Sequence, residues 1–243
     1  MAVAGRGHER TETPCQDVAV TETDGEVTVA VVADGAGSAS RSDIGAALAA
    51  EVTLDLLLDE FEDLYNTGER EAARKIIDAV RGRLARASTN LGVNVRELGS
   101  TLLFAAVARG RYLVGHLGDG LIAWRRRGLV EPLSIQERGE FANETVFVTS
   151  RGAPEKLRIR KGAAYCVTAI TLMSDGAAES LFVRQQRRVA PAVEKMWSWL
   201  ESHPQEEAVD LLERSLAGPI RNRTSDDCSL AMMCLPSWSI RAF

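Results

Sequence analysis

The chain has 243 residues, with 34 acidic and 29 basic side chains and a formal net charge of -5. Its hydrophobic fraction of 45% and charged fraction of 26% are ordinary for a globular protein with a sizeable core, and the acidic balance gives no electrostatic reason to expect nucleic acid. Cys15, Cys166, Cys228 and Cys234 form no C-x-x-C pair or disulfide framework, the N-terminal apolar stretch is too short for a signal peptide, and no apolar run reaches the roughly 18 residues of a membrane span, so the expectation is a cytoplasmic protein with no membrane contact.

Asp17–Thr23 and Val27–Ala33 read as two strands joined through Asp24-Gly25, a hairpin signal. Ile44, Leu48, Val52 and Leu56 or Leu57 then recur at helical spacing from Ser42 to about Tyr65. After Asn66-Thr67-Gly68, a second helix fits Glu69 to Ala87, with Ile76, Ile77, Val80 and Leu84 on one face. The stretch from Ser100 to Ser134 is broken at Arg109-Gly110, Gly118-Asp119-Gly120 and Arg127-Gly128, and reads as an antiparallel meander of three short strands. Residues 135–144 turn polar, like a surface loop or flap. Further strands are expected at Thr145–Thr149 and Leu157–Arg160, then an apolar run from Tyr165 to Met173. Helical patterns over Ala190–Leu200 and Pro204–Leu216 precede a last buried strand in "DDCSLAMMCL". Runs of strands and runs of helices, without regular alternation, predict segregated α and β layers. No repeat or linker appears, so one domain over residues 1–243 is expected.

The acids carry the chemical signal. Asp34 ends an apolar strand in "AVVADGAG", Asp119 sits in a turn in "VGHLGDGLI", and Asp175 follows a third apolar run in "TLMSDGAA". Asp226 and Asp227 lead into the last strand, and Asp17 begins the first. Any one Asp-Gly pair is an ordinary turn. Several carboxylates gathered at one rim would instead repel one another unless cations stood between them. Ligation by oxygen alone suits Mg²⁺ or Mn²⁺.

The segments "CQDVAV", "VVADGAGSASRSDIGA", "GSTLLFAAV", "LVGHLGDGLIAWRRRG", "LMSDGAAE" and "SDDCSLAMM" occur in the order of a known family. The chain resembles the metal-dependent PP2C (PPM) protein phosphatases, especially compact bacterial members, over roughly Gly5 to Cys234. The resemblance implies an α+β, four-layer α-β-β-α sandwich, two antiparallel sheets flanked by pairs of helices, with a flap-like segment at about 135–160. It implies that Asp34 bridges two catalytic Mn²⁺ or Mg²⁺ ions, that the Gly35 carbonyl serves one of them, and that Asp175 and Asp226 complete the first site. Asp17 would serve the second ion, and Asp119 a third, weaker one. The implied reaction is hydrolysis of phosphoserine or phosphothreonine in proteins by a water bridging two ions.

Departures from the family pattern leave other roles open. Ala36 stands where many members carry a histidine after Asp-Gly, which makes His8 a candidate general acid. Gln16 replaces a glutamate, and Arg6 and Arg10 are candidates for phosphate contact. Asp227 occupies a place usually held by asparagine, so the two adjacent acids could exchange roles. The chain lacks a C-x5-R loop, a D-x-D-x-T pattern and a G-x-S-x-G elbow, consistent with no side-chain nucleophile. The implied partners are a phosphoprotein substrate and a serine/threonine kinase. A non-catalytic binding module and a hydrolase of small phosphomonoesters are the competing readings.

Overall fold

The computed structural model describes residues 1–135 and 145–236. The chain begins with a two-residue strand β1 (Ala2–Val3) and a short helix α1 (Arg6–Thr11). The predicted hairpin follows, as β2 (Asp17–Thr23) and β3 (Val27–Asp34). In its turn, Asp24 Oδ1 accepts from the N–H groups of Glu26 (2.8 Å) and Val27 (2.7 Å). Helices α2 (Ser42–Asn66) and α3 (Glu69–Leu91) then pack against each other, as their apolar spacing predicts. Lys161 donates to the carbonyls of Leu64 (2.7 Å), Tyr65 (3.1 Å) and Thr67, covering the C-terminal end of α2.

Four strands come next, one for each side of the three breaks and not the three expected: β4 (Leu102–Ala108), β5 (Arg111–Leu117), β6 (Leu121–Arg126) and β7 (Leu129–Ile135). They are not the single meander expected from sequence. β4 and β5 lie in a sheet of order β2-β3-β4-β5-β8, and β6 and β7 lie in the other sheet. Gly118-Asp119-Gly120 is therefore a crossover between sheets, which a glycine-bearing turn in sequence does not distinguish from a hairpin. The strand expected at Thr145–Thr149 does not form either. Residues 145–150 are irregular, and a four-residue helix α4 (Ala153–Lys156) leads into β8 (Arg158–Ala163). The flap expected over 135–144 lies outside the described residues, apart from Ile135 at its start.

The apolar run after Tyr165 forms β9 (Val167–Met173), and Asp175 opens a helix, α5 (Asp175–Leu181). A small ladder of β10 (Phe182–Val183) and β11 (Arg188–Val189) precedes helices α6 (Pro191–Ser202) and α7 (Gln205–Ser215). The final strand β12 (Cys228–Cys234) completes a sheet of order β1-β12-β9-β6-β7. Every pairing in the two five-stranded sheets is antiparallel.

Three apolar clusters show how the layers stack. β3 turns Val27, Val29, Val31 and Ala33 toward α2 and α3, and Ala30 and Val32 toward the opposite sheet. β4 does the same with Leu102, Phe104 and Ala106 against Leu103, Ala105 and Val107. Period-two alternation with both faces covered explains why β4 is uniformly apolar and wholly buried. On the far side, Leu121, Ala123, Met173 and Leu230 meet α5, α6 and α7. The result is the expected α+β sandwich: helices, sheet, sheet, helices. Among the described residues, no helix is long and apolar enough to cross a membrane.

Close approach of α2 to the turn before β4 depends on Gly45, since a Cβ there would overlap the Leu98 carbonyl. Alanine is the better helix former by about 1 kcal/mol. Backbone overlap should outweigh that gain, because overpacking typically costs about 1–3 kcal/mol and a carbonyl cannot rotate away. Gly45→Ala is therefore expected to lower the urea midpoint of unfolding. A midpoint raised by the substitution would contradict this packing.

Candidate metal centre

Strand geometry brings the acids together. Asp17 and Asp34 are direct partners across β2 and β3, so their side chains share a face. The crossover places Asp119 above the same rim, and Asp175 stands one residue beyond the N-cap Ser174 at the end of β9. Asp34, Asp119 and Asp175 each offer a carboxylate oxygen within 4.8 Å of the others. The turn before Asp119 needs Gly118, whose φ of +111° disfavours other residues and where a Cβ would lie 2.5 Å from Thr101 Cγ2.

Few partners offset the charge. Asp17 is 5% exposed, and neither of its carboxylate oxygens makes a hydrogen bond among the described residues. Burial is the main cause pushing its carboxyl up to about 7, and the neighbouring Ser174 and Ser229 side chains offset only part of this. Burial, followed by the charges of Asp17, Asp175, Asp119 and Asp226, holds Asp34 well above the usual carboxylate range. Asp175 is pushed up to about 6 by burial and then by Asp119 and Asp226. Five carboxylates thus act on one another at a single rim. Crowded carboxylate oxygens, with one buried carboxylate that makes no hydrogen bond among the described residues, fit a hard divalent cation.

Hydrogen bonds fix the frame. The Asp34 N–H donates to Thr101 Oγ1 (3.1 Å), and the Thr145 hydroxyl donates to Asp119 Oδ2 (2.7 Å). The Gly35 N–H donates to the Gln16 carbonyl (3.1 Å), and a Cβ on Gly35 would lie 2.7 Å from that oxygen.

The two adjacent acids do different things. Asp226 is exposed, with Oδ1 accepting from the Asp227 N–H (3.0 Å). Asp227 is 3% exposed and gathers the N-terminal segment: Oδ1 accepts from the Gly5 N–H (2.6 Å) and pairs with His8 Nδ1 (2.9 Å), while Oδ2 accepts from the Gln16 N–H (2.6 Å). Arg6 Nε donates to the Thr224 carbonyl (3.1 Å). Arg6, His8 and Arg10 therefore all sit on α1, which is laid against residues 224–227. Arg10 is exposed and makes no hydrogen bond or ion pair among the described residues.

Sequence reasoning passed over His116. It is 1% exposed, with Nδ1 facing Ser134 Oγ (2.9 Å) and Nε2 facing the Gly118 carbonyl (3.2 Å). An Nε2–H tautomer donates to that carbonyl and accepts from the serine hydroxyl, so the imidazole buttresses the Asp119 turn. Burial, then the Arg158 charge, lowers its pKa to about 3, keeping it neutral. A lone histidine in an apolar strand was the only signal for it.

The family description protein phosphatase 2C matches residues 4–216. The chain belongs to the protein phosphatase 2C family. It is accordingly a phosphatase, a hydrolase of phosphoprotein. Serine/threonine-protein phosphatase 3 of Escherichia coli (strain K12) is 28% identical over 241 residues, covering 95% of each chain. A bacterial serine phosphatase crystal structure superimposes with a TM-score of 0.67 at 13% identity, covering 99% of this chain and 98% of the other. PppA, a regulatory component of T6SS in Pseudomonas aeruginosa, gives a TM-score of 0.62 at 20% identity, covering 97% and 96%. These solved structures share the fold of this chain.

Repulsion within the cluster should be measurable. A carboxyl raised on folding favours the folded state most when protonated, below the ordinary value of about 4, and loses that contribution as pH rises toward its folded pKa. In chelator, Asp34→Asn is expected to raise the thermal midpoint at pH 8, with a gain that shrinks as pH falls, because the raised Asp34 carboxyl then takes up its proton. Added Mn²⁺ should reverse the order by stabilising the wild type more. A midpoint lowered by Asp34→Asn in chelator at pH 8 would count against this electrostatic picture.

Proposed function

We propose that the protein hydrolyses phosphoserine and phosphothreonine in proteins with Mn²⁺ or Mg²⁺ held by the acid cluster. The observation carrying this reading is the meeting of Asp34, Asp119 and Asp175 oxygens within 4.8 Å, beside the buried and unpartnered carboxylate of Asp17. In this reading Asp34 would serve two ions and the Gly35 carbonyl one of them. Asp175 and Asp226 would complete the first site, Asp17 would serve the second ion, and Asp119 a third and weaker position. Divalent ions bound here supply an acidified water and counter-charge for the phosphoryl oxygens.

The remaining residues of the site hold and deliver protons and charge. Arg6 is anchored through Nε on the Thr224 carbonyl, which leaves its terminal NH₂ groups to take phosphoryl oxygens in a charge-assisted contact. Arg10 follows one helical turn later as a second cationic candidate. Asp227 fixes His8 through Nδ1, so a proton on Nε2 can pass to the serine or threonine oxygen as the phosphoester bond breaks. The products are the free hydroxyl side chain and inorganic phosphate. A kinase of serine and threonine would form the substrate. The meeting of Asp34, Asp119 and Asp175, with Asp17 paired across the strands to Asp34, favours turnover over a role as a binding module.

Hydrolysis of para-nitrophenyl phosphate and of phosphothreonine peptides tests the reading. Activity is expected with Mn²⁺ or Mg²⁺ and not in chelator. Asp34→Asn or Asp175→Asn should lower kcat by orders of magnitude with the fold retained, since each removes charge from a repulsive cluster. Asp119→Ala should be milder. His8→Gln should lower kcat more than it raises KM. Metal-independent turnover, or full activity in Asp34→Asn, would overturn the assignment.

A further inference from the structure

A cleft of about 860 Å³ adjoins the acid cluster, within the range of pockets that enclose most of a bound ligand. Ala36, two residues past Asp34, lines it, as does Thr145, whose hydroxyl donates to Asp119 Oδ2. Holding an ion requires neither the space nor its charge. Arg96, Arg151 and Lys156 line the cleft with exposed side chains, and none of the three forms an ion pair among the described residues. Glu97, the acid in the lining, accepts from the Ser40 N–H (2.8 Å). A chain of net charge -5 thus presents a cationic wall beside its most acidic site.

The wall is built in place. Arg81 of α3 donates from Nε to the Val148 carbonyl (2.9 Å) and from Nη2 to the Ser150 carbonyl. The Val148 N–H donates to the Ser100 carbonyl (2.8 Å), tying the same segment to the stretch that leads into β4. A surface already ordered gives up little entropy when a ligand settles on it.

Resting on the phosphatase reading above, we propose that this cleft receives the polypeptide flanking the phosphorylated residue and selects acidic side chains there. Arg96, Arg151 and Lys156 are the specificity-determining residues. They attract aspartate and glutamate neighbours of the phosphoresidue and repel lysine and arginine. Discrimination comes from attraction and repulsion together.

Fluorescence anisotropy tests this with labelled peptides carrying a non-hydrolysable phosphonate analogue of phosphoserine, flanked by either Asp/Glu or Lys/Arg, in Mn²⁺. Exposed ion pairs are each worth roughly twofold to fivefold in affinity, so the acid-flanked peptide is expected to bind about tenfold tighter. Screening should narrow that ratio as salt is raised. Arg96→Glu/Arg151→Glu should abolish or invert the ratio, and Arg96→Gln/Arg151→Gln should give an intermediate value. Equal affinity of the wild type for both peptides, or a preference surviving the double reversal, would overturn the proposal. Hydrolysis of para-nitrophenyl phosphate by the wild type, which involves no flanking chain, separately reports on the phosphatase reading.

Discussion

The organising constraint of this molecule is the convergence of like charges at one rim of a β sandwich. Ionised carboxylates held this close oppose folding, and burial of Asp17 and Asp34 magnifies the cost. Apolar strands on either side of the rim carry that cost. β3 and β4 are covered on both faces, so the backbone that presents Asp34 cannot shift to relieve the crowding. The crossover at Gly118, the Thr101 hydroxyl under Asp34 and the His116 buttress all hold acids where solvent would otherwise separate them. Cations are the partner such an arrangement suits, and the family assignment agrees with that.

Much of the architecture was legible because periodicity reports burial. The Asp24-Gly25 hairpin and the α2–α3 pair form where the apolar spacing puts them, and β12 follows the acidic pair as expected. The failures have physical causes. Gly118-Asp119-Gly120 resembles a hairpin turn, yet the chain leaves one sheet there for the other, and such a transfer depends on what packs behind it. Thr145–Thr149 is composed of β-branched and aromatic residues like a strand, but its backbone is engaged by Arg81 and the Ser100 carbonyl. Short elements such as α1 and α5 give too few residues for a period to show.

The acids were visible because each interrupts or borders an apolar run. The cationic wall was not, since Arg96, Arg151 and Lys156 come from separate segments and stand in polar surroundings that look like ordinary surface. His116 was hidden for the opposite reason, as a polar side chain inside an apolar strand, facing Ser134 of another strand and the carbonyl of the turn just after it. Chemistry assembled from tertiary contacts leaves no local trace.

Asp226 and Asp227 show how neighbouring side chains of one type part ways through environment alone. The first faces the cluster, and the second turns inward to bind Gly5, His8 and Gln16. Gly5 has no room for a side chain against the backbone of Ser225 and Asp226, which adds a steric lock to the electrostatic one. The amino-terminal stretch and the approach to the last strand consequently form one inheritable unit. In a chimera between relatives, a donor's first sixteen residues would seat properly only if its equivalent of Asp227 travelled with them.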